Sequence, residues 1–130
     1  MADVVVVEDD EDVSFLMAVF LEQAGHVVRR ARNGEEALAV VVGGRRLPDL
    51  IVMDVEMPVL DGPGMAARLL VENAGKERIP LVIVSGATGL GAVARRVGTP
   101  YFLSKPFDPC DLIELSQRAL RERRAPQPGG

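Results

Sequence analysis

Four places in this sequence carry side chains spaced so that they can do chemistry together. They are the acids of Glu8-Asp9-Asp10, the carboxylate of Asp54, the hydroxyl of Ser85 and the ammonium of Lys105. Each follows a short apolar run: Val4–Val7, Leu50–Met53, Leu81–Val84 and Tyr101–Ser104 respectively. Clustered carboxylates repel one another and raise one another's pKa, which a divalent cation relieves. Oxygen ligands without nearby His or Cys suit Mg²⁺, which takes one or two carboxylates, keeps several waters and binds phosphate oxygens. Zinc does not fit, because the one histidine, His26, falls in a turn on the other side of the first helix. A carboxylate can also attack phosphorus to form an acyl phosphate. The arriving phosphoryl group then needs cations around it, Mg²⁺ on one side and a compact, mobile ammonium on the other. Ser85 adds a hydroxyl donor.

These groups meet only if the elements carrying them share one edge. Five runs rich in Val, Ile and Leu recur, the fifth being Val27–Ala31, with helical stretches between them. Over residues 12–24 apolar positions Val13, Leu16, Met17, Phe20, Leu21 and Ala24 repeat at helical spacing and define the expected buried face. Gly25 stands where a left-handed residue ends a helix. Asn33 is an N-cap candidate for a second helix closed by Gly43-Gly44. A third helix starts near Asp61-Gly62, with Met65, Leu69 and Leu70 expected on one face, and a last one runs from Asp108-Pro109 to about Arg123. Strands alternating with helices imply a parallel sheet with helices on both faces. Such sheets hold ligands in the crevice at the carboxyl ends of their strands. That rule reconciles the apolar run 50–53 with its terminal acid: Asp54 enters the crevice, not the core.

At 130 residues, 48% of them hydrophobic, the chain can build one domain with a real core. The longest apolar run, Phe15–Leu21, is far below the ~20 residues needed to span a bilayer. Met1-Ala2-Asp3 leads straight into a strand-like run without a signal-peptide layout. A single cysteine, Cys110, excludes an internal disulfide and fits a reducing compartment, so a cytoplasmic location is expected. The formal net charge of −4 argues against general nucleic-acid binding.

The motifs "VVVVEDD", "PDLIVMDVEMPVLDG", "PLVIVSGA" and "FLSKPF", in this order, resemble those of response-regulator receiver domains. The resemblance covers roughly Asp3 to Arg121 and implies a (βα)5 doubly wound, flavodoxin-like α/β fold with strand order 2-1-3-4-5, an order the general rule for such sheets itself illustrates with a member of this family. It implies Mg²⁺-dependent phosphorylation of Asp54 by a histidine kinase or histidine phosphotransfer protein. Glu8 and Asp9 match the acidic pair that holds the metal, and Glu56 matches the residue that offers it a backbone carbonyl. Ser85 matches the switch hydroxyl, Lys105 the active-site lysine and Phe102 the switch aromatic. In this family the bond before Pro106 is typically cis. Between Ser85 and Lys105 four glycines and few helix formers predict a short or irregular fourth helix.

The expected organisation is a receiver domain over 1–124 and a flexible tail over 125–130, with no output domain and a separate downstream effector protein. Its chemistry is confined to self-phosphorylation and autodephosphorylation, rather than that of a conventional enzyme. Phe15 and Val19, i and i+4 on the first helix and off its expected buried face, form a small outward ridge expected to dock a helical partner. Three other readings stand beside this one. A small aspartate-dependent phosphatase would use Glu56 as its acid, but no insertion is long enough for a substrate cap. A non-phosphorylated binding module would not need Asp54, Glu8, Asp9 and Lys105 together. A flavin-binding module would carry a Gly- and Ser/Thr-rich loop after the first strand, where this chain has acids. His26 and Cys110 read as ordinary turn and helix-start residues, and Arg118, Arg121, Arg123 and Arg124 as a solvated last turn that complements the helix dipole.

Overall fold

The computed structural model describes residues 2–44, 46–54, 62–86 and 90–127. Among them five strands and five helices alternate: β1 (Asp3–Val7), α1 (Glu11–Gln23), β2 (Val27–Ala31), α2 (Gly34–Gly43), β3 (Leu50–Asp54), α3 (Gly62–Lys76), β4 (Leu81–Ser85), α4 (Leu90–Val97), β5 (Tyr101–Ser104) and α5 (Pro109–Glu122). All strand pairs are parallel, in the order β2-β1-β3-β4-β5. This is the order that the sequence motifs imply.

The three inner strands are buried on both faces, which is why they read as unbroken apolar runs. Their side chains alternate between two cores. Val5, Val7, Ile51, Met53 and Leu81 pack with Ala37 and Val41 of α2 and Leu70 and Ala74 of α3. Val4, Val6, Leu50, Val52, Val82 and Val84 pack on the other face with Met17 and Leu21 of α1 and Leu112 and Ala119 of α5. The edge strands are less buried, and Arg29 and Arg30 on β2 place charge where an open edge would invite further pairing.

Helix starts follow the side-chain chemistry. The Asp10 carboxylate accepts from the backbone N–H groups of Asp12 and Val13, Asn33 from Glu36, and Asp108 from Cys110. Gly25, just beyond α1, takes φ +97°, the left-handed conformation expected of it. At eight residues α4 is the shortest helix described, as its glycine content predicts. The Lys105–Pro106 peptide is cis.

Two expected helix faces are corrected. In α1 the buried residues are Ser14, Met17, Ala18 and Leu21, while Leu16 is 50% exposed. The helix is apolar around most of its circumference, so apolar spacing alone does not select the inward face. Ser14 tolerates burial because its hydroxyl accepts a 3.0 Å hydrogen bond from Arg30 Nε. In α3, Leu70 is buried but the adjacent Leu69 is exposed, as a 100° turn per residue requires of neighbours on a one-sided helix. The side chain of Met65 lies outside those described. Residues 125–127, assigned by sequence to a flexible tail, lie against the domain, with Pro126 buried and the Gln127 N–H donating to the Gly98 carbonyl at 2.9 Å. No helix among the described residues is long and apolar enough to cross a membrane.

Candidate functional site

Strand register brings the chemistry-bearing residues into one row. Val7 of β1 pairs with Met53 of β3, so the next residues, Glu8 and Asp54, leave the sheet side by side. Ser85 of β4 pairs with Ser104 of β5, so Lys105 follows at the same edge, and its N–H donates to the Ser85 carbonyl at 3.0 Å. One carboxylate oxygen each from Glu8, Asp9 and Asp54 lie within 4.8 Å of one another. Glu8 and Asp54 are buried and Asp9 is exposed, so the cluster opens to solvent on the Asp9 side.

Lys105 enters this cluster from β5. Its Nζ donates to Glu8 Oε1 at 2.6 Å and to Asp54 Oδ2 at 3.3 Å. The second Glu8 oxygen accepts from the Asp10 N–H at 3.2 Å, so both oxygens of this fully buried side chain have donors. Burial pushes the Glu8 pKa up to about 7, against the pull of Lys105, which lowers it. Burial by itself would lower the Lys105 pKa, but the facing carboxylates of Glu8 and Asp54 outweigh it and raise the value. The ammonium is thus secured as a cation.

A set of three carboxylates with only oxygen donors suits a hard divalent ion such as Mg²⁺. Asp9 is the most open of the three, being exposed where Glu8 and Asp54 are buried.

The structure therefore unites Glu8, Asp9, Asp54 and Lys105. Ser85 sits fully buried at the end of β4, in the strand next to Asp54. Phe102 lies on β5, 46% exposed and three residues before Lys105. Glu56 lies outside the described residues. Phe15 of α1 is 55% exposed, and Val19 one turn on is half-buried. Arg32 and Asn33, which also line the depression formed by Val7, Glu8, Asp9 and Asp54, are absent from the sequence-derived site. They follow β2, the one strand whose carboxyl end the sequence argument leaves out. The crevice rule applied to all five strands would have found them.

Comparison with known proteins places this geometry in context. A family model described as the response regulator receiver domain matches residues 4–117. Protein Rrf1 of Nitratidesulfovibrio vulgaris is 33% identical over 120 residues, covering 92% of this chain and 83% of that protein. The nitrogen assimilation regulatory protein NtrX of Azorhizobium caulinodans is 32% identical over 94% of this chain, which spans only 27% of that relative's length. The crystal structure of a CheY-like response regulator receiver domain protein from Methanospirillum hungatei superposes with a TM-score of 0.78 at 25% identity, covering 95% of this chain and 96% of that one.

Proposed function

The chain belongs to the response regulator receiver domain family, the phosphorylation-dependent signalling domains of two-component systems, and on that premise we propose that Asp54 is its phosphoryl acceptor. The observation that carries this reading is the placement of Asp54 beside two further carboxylates and a cation, with Glu8 and Asp9 within 4.8 Å and Lys105 Nζ at 3.3 Å.

In this reading an Asp54 carboxylate oxygen attacks phosphorus, the bond from phosphorus to the donor's leaving group breaks, and the leaving group departs with the electron pair. Asp9, Asp54 and Glu8 would hold a Mg²⁺ ion, which when bound would offset charge on the phosphoryl oxygens. Lys105 supplies the second cation, held on station by Glu8. The Ser85 hydroxyl is the switch that reports phosphorylation, and Phe102, exposed on the edge strand, is the aromatic that responds to it. The donor is a histidine kinase or histidine phosphotransfer protein, the ridge of Phe15 and Val19 on α1 docks it, and a separate effector protein reads the result. The location is cytoplasmic.

The test is intact mass after incubation with acetyl phosphate, with and without Mg²⁺, beside Asp54→Asn. A Mg²⁺-dependent gain of one phosphoryl group in the wild type and none in the variant is expected. An equal gain in both would remove Asp54 from the role, and a gain without Mg²⁺ would remove the metal.

A further inference from the structure

The phosphoryl site proposed above gathers its acids at one sheet edge, with Lys105 entering from one flank. Glu8, Asp9 and Asp54 bring three carboxyl groups together, and Asp10 follows directly. The one ammonium among them is engaged with Glu8 and Asp54.

The depression over the acids has a second cation on its opposite rim. Strand order places β2 on one side of β1 and β3 on the other, so Arg32, just past β2, lines the depression on the flank away from Lys105. Arg32 is well exposed, its side chain 73% accessible, yet it is not loose. Glu36, in the first turn of α2, grips it twice. One Glu36 oxygen accepts from the Arg32 backbone N–H at 2.8 Å, and the other accepts from Nε at 3.1 Å and pairs with Nη2 at 3.1 Å. Glu36 is anchored in turn by donating its own N–H to the Asn33 side chain at 2.9 Å. Its pKa is lowered, first by the Arg32 backbone N–H, so it stays ionised. A guanidinium carries five N–H donors. Glu36 occupies the Nε edge, and the Nη1 end makes no hydrogen bond among the described residues.

We infer that Arg32 is a donor-binding residue: a guanidinium held by Glu36 at the rim of the acidic depression, whose Nη1 end engages the anionic phosphodonor as it enters. This rests on the phosphoryl-acceptor reading of Asp54 and adds a residue on the β2 side to it. In transfer from acetyl phosphate, the phosphorus–oxygen bond to acetate breaks, the Asp54 oxygen–phosphorus bond forms, and acetate leaves with the electron pair. Arg32 takes no part in that bond exchange. It contributes a charge-assisted, geometrically directed contact to the bound donor.

The experiment measures the rate of the one-phosphoryl mass gain against acetyl phosphate concentration at saturating Mg²⁺, for wild type, Arg32→Met and Arg32→Lys. Loss of one such contact is expected to raise the half-saturating acetyl phosphate concentration roughly tenfold in Arg32→Met. The plateau rate should not change, and Arg32→Lys, which keeps the charge without the fork, should fall between the two. A half-saturating concentration that does not move in Arg32→Met, or a lower plateau rate with that concentration unchanged, overturns the role of Arg32 while leaving Asp54 as acceptor. Failure of the wild type to gain a phosphoryl group at all overturns both.

Discussion

Lys105 Nζ and Glu8 Oε1 lie 2.6 Å apart although the strands that precede them, β5 and β1, are separated in the sheet by β3 and β4. The lysine stem spans the crevice and closes its strongest hydrogen bond on the far acid, while the nearer acid, Asp54, is met at 3.3 Å. The pair thus ties the two halves of the sheet edge together. Lys105→Met should leave the buried Glu8 carboxylate without its cation and cost about 2 kcal/mol at pH 8. At pH 6 Glu8 can take up a proton instead, and the cost should be smaller. Urea unfolding at both pH values checks this, and the Glu8→Gln, Lys105→Met pair in a double-mutant cycle isolates the coupling.

The raised Glu8 pKa has a definite sign in the metal-free domain. Its folded value of about 7 lies above the ordinary 4.5, so the folded state binds the extra proton between these limits. The Glu8 contribution to stability is fully present below pH 4.5 and is lost as pH rises through 7. A cation in the cluster requires the carboxylate instead. Mg²⁺ should therefore raise the thermal midpoint more at pH 8 than at pH 6, and an equal shift at both would separate Glu8 from the metal.

His26 should give a slope of the opposite kind. Both ring nitrogens are buried without a hydrogen-bond partner among the described residues, and burial lowers the ring's pKa below its usual 6.5. The unfolded chain then takes up the proton before the folded one, so stability should fall as pH drops below 6.5. His26→Phe removes the unsatisfied nitrogens and should stabilise the domain by about 1 kcal/mol at pH 7 while flattening the acid slope. Thermal melts between pH 5 and pH 8, at ~1-unit steps, would reveal it.

Two left-handed glycines should respond differently to alanine. Gly25 has φ +97° and open space where a Cβ would stand, so Gly25→Ala should cost about 1 kcal/mol of backbone strain. Gly98 has φ +84°, and a Cβ there would fall on the backbone of Gln127. Gly98→Ala should cost at least ~2 kcal/mol and displace residues 125–127. Truncation after Arg124 should remove most of the difference between the two variants in urea unfolding.

The ridge on α1 is testable apart from the chemistry. The Phe15 ring is flanked by the Arg30 guanidinium, 5.9 Å from its centroid, and Arg30 is held by Glu11 at 2.7 Å. Phe15→Ser with Val19→Ser should slow transfer from a phosphohistidine partner about tenfold or more, as loss of an interface anchor does. Phosphorylation by acetyl phosphate should be unchanged, and equal loss with both donors would assign these residues to folding instead.

Much of this protein is legible without coordinates, for a physical reason. A strand buried on both faces needs an unbroken apolar run, and a carboxylate is tolerated only where the run leaves the sheet. The sequences at 50–54 and 4–9 therefore announce both the parallel sheet and the acids at its edge. Caps at Asn33 and Asp108 are equally local, since each acts within three residues of itself. The faces of α1 and α3 are not legible in this way. Leu16 and Leu69 are as apolar as their buried neighbours, and only the docking of each helix on the sheet decides which turns inward. Likewise, no local pattern tells Lys105 to favour Glu8 over Asp54, or brings Arg32 to the depression over the acids. Those choices depend on the lateral order of strands distant in sequence, which is a property of the folded sheet alone.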